Sequence, residues 1–293
     1  MFDEISLTRP YGFLLLLSIF LNDLWFETWY YCWIICDFLA IYCPQGLTRR
    51  MKKLSRALDV VLEKIIEEHE QILSGQQDRQ RDFIEMLLSL INQPMNPHDE
   101  HVYLIDRTNI KAIIIDMISG AYDTSATAIE WTFSELLRHP RAMKHVQEEL
   151  ERVIGMHRMV KETDLANLTY LDMVVKESLR LHPVGPLLVP HESMEDIEIN
   201  GYYIPKKSRL IINFWAIGRD PNVWSDNVEE FYPERFLNSN IELMGHNFEL
   251  IPFGSGRRGC PGIQLGLTTI KYVLAQLLHC FDWVLPSGML PND

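Results

Sequence analysis

Cysteine is scarce in this chain of 293 residues, which carries five. They stand at Cys32, Cys36, Cys43, Cys260 and Cys280, an odd and scattered set that excludes a disulfide framework. No Cys-x-x-Cys pair exists, and no His–Cys spacing matches a structural zinc site. Basic charge is also short: 27 Lys and Arg stand against 40 Asp and Glu, for a net charge of −13. That balance argues against a nucleic-acid partner. The one basic run, RRMKKLSR from Arg49 to Arg56, lies on a helical pattern and reads as a solvated face. Internal repeats are absent. Residues 11–43 are strongly apolar, but Asp23, Glu27 and Asp37 interrupt them. Neither uninterrupted piece reaches the ~20 residues of a spanning helix. Residues 1–43 therefore stay open between a short membrane anchor, an interfacial stretch, a core helix of an incomplete domain and an aberrant N-terminus. No small-residue cleavage site follows the LLLL run, and no arginine-rich transit pattern is present.

What is present is globular. Hydrophobic residues make up 47% and charged residues 23%, enough to bury a large core. From Pro44 onward the apolar spacing is helical: Leu54, Leu58, Val61, Leu62, Ile65 and Ile66 line one face of residues 47–74. DFIEMLLSLI (82–91) predicts a short amphipathic helix with Asp82 at its N-cap, and NQPMNPHDE after it predicts a loop. Further helices are predicted over 106–138, 141–154, 169–183 and 263–280, the third with a Thr169–Asp172 capping box. Between them, PLLVPHES, IEINGYYIP and SRLIINFWAI predict short strands. The fold class is mainly α with a small β portion.

Chemistry-bearing residues sit at three places. On the helix over 106–138 the apolar stripe Ile110, Ile113, Ile114, Met117, Ile118, Ala121 continues to Thr124, Ser125 and Ala128. This spacing places the Thr124 hydroxyl on the buried stripe, with the Asp123 carboxylate beside it. Gly120 weakens the helix there. The plain reading is a threonine bonded back to the carbonyl four residues earlier; the functional one is a distortion where a small ligand or water meets the helix. In KESLRLHP, Glu177 and Arg180 are three apart and share a helical face. Arg235, in FYPERF, could complete a Glu–Arg–Arg set that fixes a loop against that helix, though sequence cannot bring the three together.

The third place is PFGSGRRGCPGIQLGL, from Pro252 to Leu267. Its spacing puts Cys260 at an N-cap with Pro261 at the first helical position, so the sulfur faces the positive end of a helix dipole. That favours thiolate. Glycines bring bare backbone N–H groups near the sulfur, and Arg257 and Arg258 add positive charge. A thiolate so placed suits a nucleophile or a metal ligand. A nucleophile would want a base, and no Cys-protease pattern is present. An axial haem ligand would want this loop, with Phe253 as packing and an arginine for a propionate. A merely structural cysteine would leave the glycines and arginines unexplained.

PFGSGRRGCPG resembles the haem-binding loop of the cytochrome P450 superfamily, F-x-x-G-x-R-x-C-x-G, at Phe253, Gly256, Arg258, Cys260 and Gly262. GAYDTS resembles the oxygen-activating segment of the family's central helix, KESLR its E-x-x-R, and FYPERF its P-E-R-F. INFWAIGRDP and YIPKKSRLIIN look like plant-type microsomal members. The resemblance covers roughly residues 44–285 and implies a partial P450 catalytic domain over 44–293, in the cytochrome P450 fold. It implies haem b (iron protoporphyrin IX), with Cys260 as axial iron ligand, Arg258 and His191 as propionate partners and Phe253 packed on the ligand side. It implies Asp123 and Thr124 as the source of protons for dioxygen, and Glu177, Arg180 and Arg235 as a structural set. The implied reaction is insertion of one oxygen atom into a small apolar organic substrate, with electrons from NADPH through cytochrome P450 reductase, at the cytoplasmic face of the endoplasmic reticulum membrane.

The chain also departs from the family. No W-x-x-x-R precedes the central helix, Ala121 stands where a glycine is usual, and WVLPSGMLPND ends short of the final β-hairpin. The expectation is a chain truncated at both ends relative to the family. Three functions follow: a haem-thiolate monooxygenase, a haem-binding but inactive product, or a cofactor-free helical interaction fragment.

Overall fold

The computed structural model describes residues 47–75, 81–93, 104–225, 227–285 and 288. The 1–43 segment and most of the 92–100 loop lie outside them. Two compact units divide the chain, residues 1–111 and 112–293.

In the first unit, helix α1 (Leu47–Gly75) buries Leu62 and Ile66 and leaves Arg50, Lys52, Lys53 and Arg56 exposed, as the periodicity requires. Helix α2 (Phe83–Ser89) has the expected N-cap: the Asp82 carboxylate accepts from the Glu85 N–H at 2.9 Å, and Glu85 returns the bond to the Asp82 N–H. The start of helix α3 (Arg107–Arg138) is tied to α1 by Arg107–Glu63 and Lys111–Asp59 ion pairs of 2.7 and 2.6 Å.

The second unit contains the rest of α3, α4 (Pro140–Ile154), α5 (Thr169–Leu181) and α8 (Ile263–Cys280). Between α5 and α8 lie the short helices α6 (Phe214–Ile217) and α7 (Pro221–Trp224). Leu136, Val146, Leu150, Leu171, Val174, Val175, Phe214 and Leu274 form the fully buried centre of its core. Helix α5 is the innermost element, with every residue from Val174 to Leu181 buried. Four of these, Lys176, Glu177, Ser178 and Arg180, are polar. A buried polar side chain costs stability unless it is bonded, so α5 gathers partners from every neighbour.

The N-terminus of α5 departs from the expected capping box. Its cap position is Leu168, which has no side chain to offer. The buried carboxylate of Glu149, on α4, accepts instead from Thr169 Oγ1 at 3.0 Å, Tyr170 N–H at 2.8 Å and Leu171 N–H at 3.0 Å. A carboxylate at the positive end of the helix satisfies several orphan donors at once, which leaves Asp172 for Lys176 and Lys271.

The strands are shorter than the sequence predicts. β1 (His191–Glu192) pairs antiparallel with β4 (Arg209–Leu210), and β2 (Ile197–Ile199) with β3 (Tyr202–Ile204). Asn200 and Gly201, both at positive φ, make the two-residue turn of the second pair. SRLIINFWAI does not continue as strand. Asn213 caps α6 by accepting from the Ala216 N–H, so the chain turns helical at Phe214.

Candidate functional site

Glu177, Arg180 and Arg235 meet. The Glu177 carboxylate takes a forked pair of bonds from Arg180, Nε and Nη2 each at 2.9 Å, while Arg235 Nε and the Tyr232 N–H reach the same Oε1 at 2.9 Å. The Glu177 and Arg180 side chains are 0% exposed. Their remaining donors go to backbone: Arg180 Nη1 to the Gly218 and Val228 carbonyls at 2.6 and 2.7 Å, Arg235 Nη1 to the Trp224 carbonyl at 2.9 Å. The Trp224 ring lies 5.6 Å from the Arg180 guanidinium. One helix thus clamps the irregular stretch from Gly218 to Arg235, which has little regular structure to hold it. Sequence reasoning supplies the three charged residues. It misses Tyr232, Trp224 and the carbonyl acceptors, because backbone acceptors leave no signature in residue type.

The next turn of PERF is held from outside. Glu234 accepts from Arg141 at 2.5 and 3.1 Å and from the Tyr170 hydroxyl at 3.0 Å. Burial first, and then the bond to Glu234, push the Tyr170 phenol up.

The Cys260 loop follows. Gly254 and Gly256 both take positive φ, 71° and 72°, so the chain coils tightly before the cysteine. The Cys260 N–H donates to the Phe253 carbonyl at 2.8 Å and closes the loop. The Phe253 ring edge comes to 3.8 Å from where a Cβ on Gly266 would be, so the ring packs along the first turn of α8. Gly245, at φ +81°, braces the loop from behind: a Cβ there would stand 2.9 Å from the Gly254 carbonyl oxygen, and Ser255 Oγ donates to the Gly245 carbonyl at 2.6 Å. Cys260 is exposed and free, and Arg257 and Arg258 are exposed beside it.

The predicted cap is displaced. Helix α8 begins at Ile263 with Gly262 as cap, so Cys260 stands two residues ahead of the cap and Pro261 lies in the turn. The sulfur remains near the helix start, but the closing bond to Phe253 sets its loop. Cys280 is exposed near Met159.

On α3 the buried stripe breaks. Ile110, Ile114 and Ala128 are buried, but Gly120 to Thr124 are all exposed. Thr124 donates to the Gly120 carbonyl at 2.6 Å, the plain i−4 bond. The periodicity predicts a buried Thr124, but nothing among the described residues covers that face at these positions. His191, on β1, is partly buried and pairs with Leu210.

The Cys260 loop thus presents an exposed thiol, two positive-φ glycines and two exposed arginines. The family model described as Cytochrome P450 matches residues 17–293. The chain belongs to the cytochrome P450 family. It is 61% identical over 262 residues to cytochrome P450 CYP736A12 of Panax ginseng, covering 88% of this chain and 52% of that one. It is 45% identical over 252 residues to flavonoid 3'-monooxygenase of Arabidopsis thaliana, covering 85% and 48%. A solved zebra fish cytochrome P450 with progesterone superposes with a TM-score of 0.70 at 30% identity, over 82% of this chain and 54% of that one. The chain thus spans about half the length of these P450 relatives. The P450 family's cofactor is haem b, and the donor set fits it: a soft thiolate donor suits iron, and the glycines leave backbone bare around it. No helix among the described residues is long and apolar enough to cross a membrane.

Acid should loosen the second unit of this P450. Three of its carboxylates are held below their ordinary values despite burial, which acts the other way. For Asp172 the opposing cause is Lys271, for Glu135 the His182 hydrogen bond, and for Glu234 Arg141. A depressed carboxylate contributes stability that is complete above its unfolded value and lost as pH falls through its folded one. The loss is therefore expected below the ordinary values of 3.8 for Asp and 4.5 for Glu. Urea midpoints should hold from pH 7 to 5 and drop steeply between about pH 4 and 3. A midpoint that changes evenly across the whole range would refute this.

Proposed function

We propose that the chain is the haem-binding part of a monooxygenase that places one atom of dioxygen into a small apolar organic substrate, with electrons from NADPH through cytochrome P450 reductase. The observation that carries this reading is the Cys260 loop: an exposed thiol presented by two positive-φ glycines and closed by its own N–H on Phe253. In this reading Cys260 would hold the haem iron through its sulfur, and Arg258 and His191 would hold the propionates. Phe253 packs on the ligand side. Bound haem supplies the activation of dioxygen, which thiolate ligation favours by pushing electron density toward the iron.

The residues of this chain do the rest. In this reading Asp123 and Thr124, exposed on α3, would hand protons to the bound ligand. The Thr124 hydroxyl bonds the Gly120 carbonyl and can turn outward at the cost of one such bond. Glu177, Arg180 and Arg235 hold the stretch from Gly218 to Arg235 against α5, a structural role in this reading. Placement on the endoplasmic reticulum membrane, at its cytoplasmic face, goes with the plant relatives and is part of the same proposal, as is the assignment of 44–293 to a partial catalytic domain.

Two measurements test it. The reduced chain with haem added should give the carbon monoxide difference spectrum of a thiolate-ligated haem, and reductase with NADPH should then yield an oxygenated product. A spectrum without turnover leaves only the haem-binding reading; no spectrum at all refutes the proposal. Thr124→Ala should keep the spectrum and raise the share of NADPH that ends as peroxide, as the loss of a proton-transfer group requires. Unchanged coupling would remove Thr124 from that role.

A further inference from the structure

Two threonines on α3 bond back onto their own helix. Thr124 donates to the Gly120 carbonyl at 2.6 Å and is exposed; Thr132 reaches the Ala128 carbonyl at 2.7 Å and is fully buried. Thr132 Oγ1 also lies 2.8 Å from Ser178 Oγ on α5, a residue 1% exposed. A hydroxyl carries one proton. Both contacts are made together when Ser178 donates to Thr132 and Thr132 donates to the Ala128 carbonyl. The result is a relay of two bonds running from α5 into the backbone of α3.

Apolar side chains share the core with this relay, and another polar tie, His182 to the buried Glu135 carboxylate at 2.9 Å, lies at the end of α5. Ala128 and Leu136 of α3, and Val174, Val175 and Leu179 of α5, belong to the same buried cluster. Such contacts set a packing distance but tolerate small slides along the helix axis. A buried hydroxyl pair adds little net stability over apolar filling, yet any shift that separates it strands the Ser178 hydroxyl, while Thr132 keeps its bond to the Ala128 carbonyl. Its content is therefore register. Helix α5 also carries Glu177 and Arg180, and through Asp172 it holds Lys271 of α8, the helix that follows Cys260. It is the common reference for both sides of the candidate site.

We propose that Thr132 and Ser178 are positioning residues: their hydrogen bond fixes the register of α3 on α5 and so sets where the Gly120–Thr124 face stands relative to the Cys260 loop. The purpose of that register rests on the haem site proposed above; the register itself does not.

The test uses hydrogen exchange on the full 293-residue chain without added haem. In Thr132→Val and in Ser178→Ala, amides 120–128 should exchange about tenfold faster, with α4 unchanged, and the double variant should be no faster than either single one. Thr132→Ser, which keeps the hydroxyl and drops the methyl, should stay within about twofold of the parent. Thr132→Ser exchanging faster than Thr132→Val would show that the methyl packing matters and the bond does not. Effects that multiply in the double variant, or that spread equally to α4 and α8, would likewise overturn the proposal. Should Thr132→Val fail to fold, Ser178→Ala against Thr132→Ser makes the same comparison. A chain that holds no haem would sink the functional reading and leave this result standing.

Discussion

Cys260→Ser is expected to abolish the thiolate-type carbon monoxide spectrum of the reduced, haem-loaded chain, while Cys280→Ser keeps it in full. The two cysteines are both exposed and free, so accessibility does not separate them. Their backbones do. Cys260 is offered by a loop closed on Phe253 and opened by two positive-φ glycines, with arginines at its side. Cys280 is the last residue of α8, its sulfur near Met159 and Gln276. A hydroxyl in place of the sulfur is a weaker, harder donor and cannot supply the electron density of a thiolate. A retained spectrum in Cys260→Ser, or its loss in Cys280→Ser, would move the ligand elsewhere.

Glu177→Ala is expected to have the largest effect on stability. It removes a carboxylate at which two arginines and one backbone N–H converge, and leaves the fully buried Arg180 charge without its counter-ion. Breaking a buried pair by removing one partner costs about 3–5 kcal/mol, a large share of the roughly 5–15 kcal/mol that holds a domain together. The second unit should unfold at much lower urea, or fail to accumulate. Glu177→Gln, which can still accept from Arg180 but lacks the charge, should fall between the two. Arg180→Lys should fare nearly as badly as the alanine variant, since an ammonium cannot serve a carboxylate and three carbonyls from one plane. A Glu177→Ala chain with a parental urea midpoint would show that the set is ornamental.

Much of this was legible in the sequence, for a physical reason. Helices announce themselves by local spacing, and α2 and α8 fall within a residue or two of where apolar periodicity puts them. The Cys260 loop is legible because all its parts are adjacent in sequence. Long-range partners are not. Glu149 caps a helix that starts twenty residues later, Ser178 reaches Thr132 across 46, and Lys271 finds Asp172 across 99. Nothing in residue type marks these pairs. The same limit explains Thr124: spacing tells which face of α3 is apolar, but not whether another element lies over it. It explains SRLIINFWAI as well, where a composition suited to strand gives way to a cap at Asn213.

The brace at Gly245 has a consequence for anyone who would move this loop. Residues 252–262 look self-sufficient, a cassette with its own thiol, hinges and charges. A transplant of that cassette to the start of another helix would leave behind the turn that Ser255 grips and the bare Cα against which the Gly254 carbonyl rests. The portable part would arrive without its mould. Whatever fixes the shape of the loop is shared between two segments, and the second acts through Gly245, a residue that a search for reactive groups would never select.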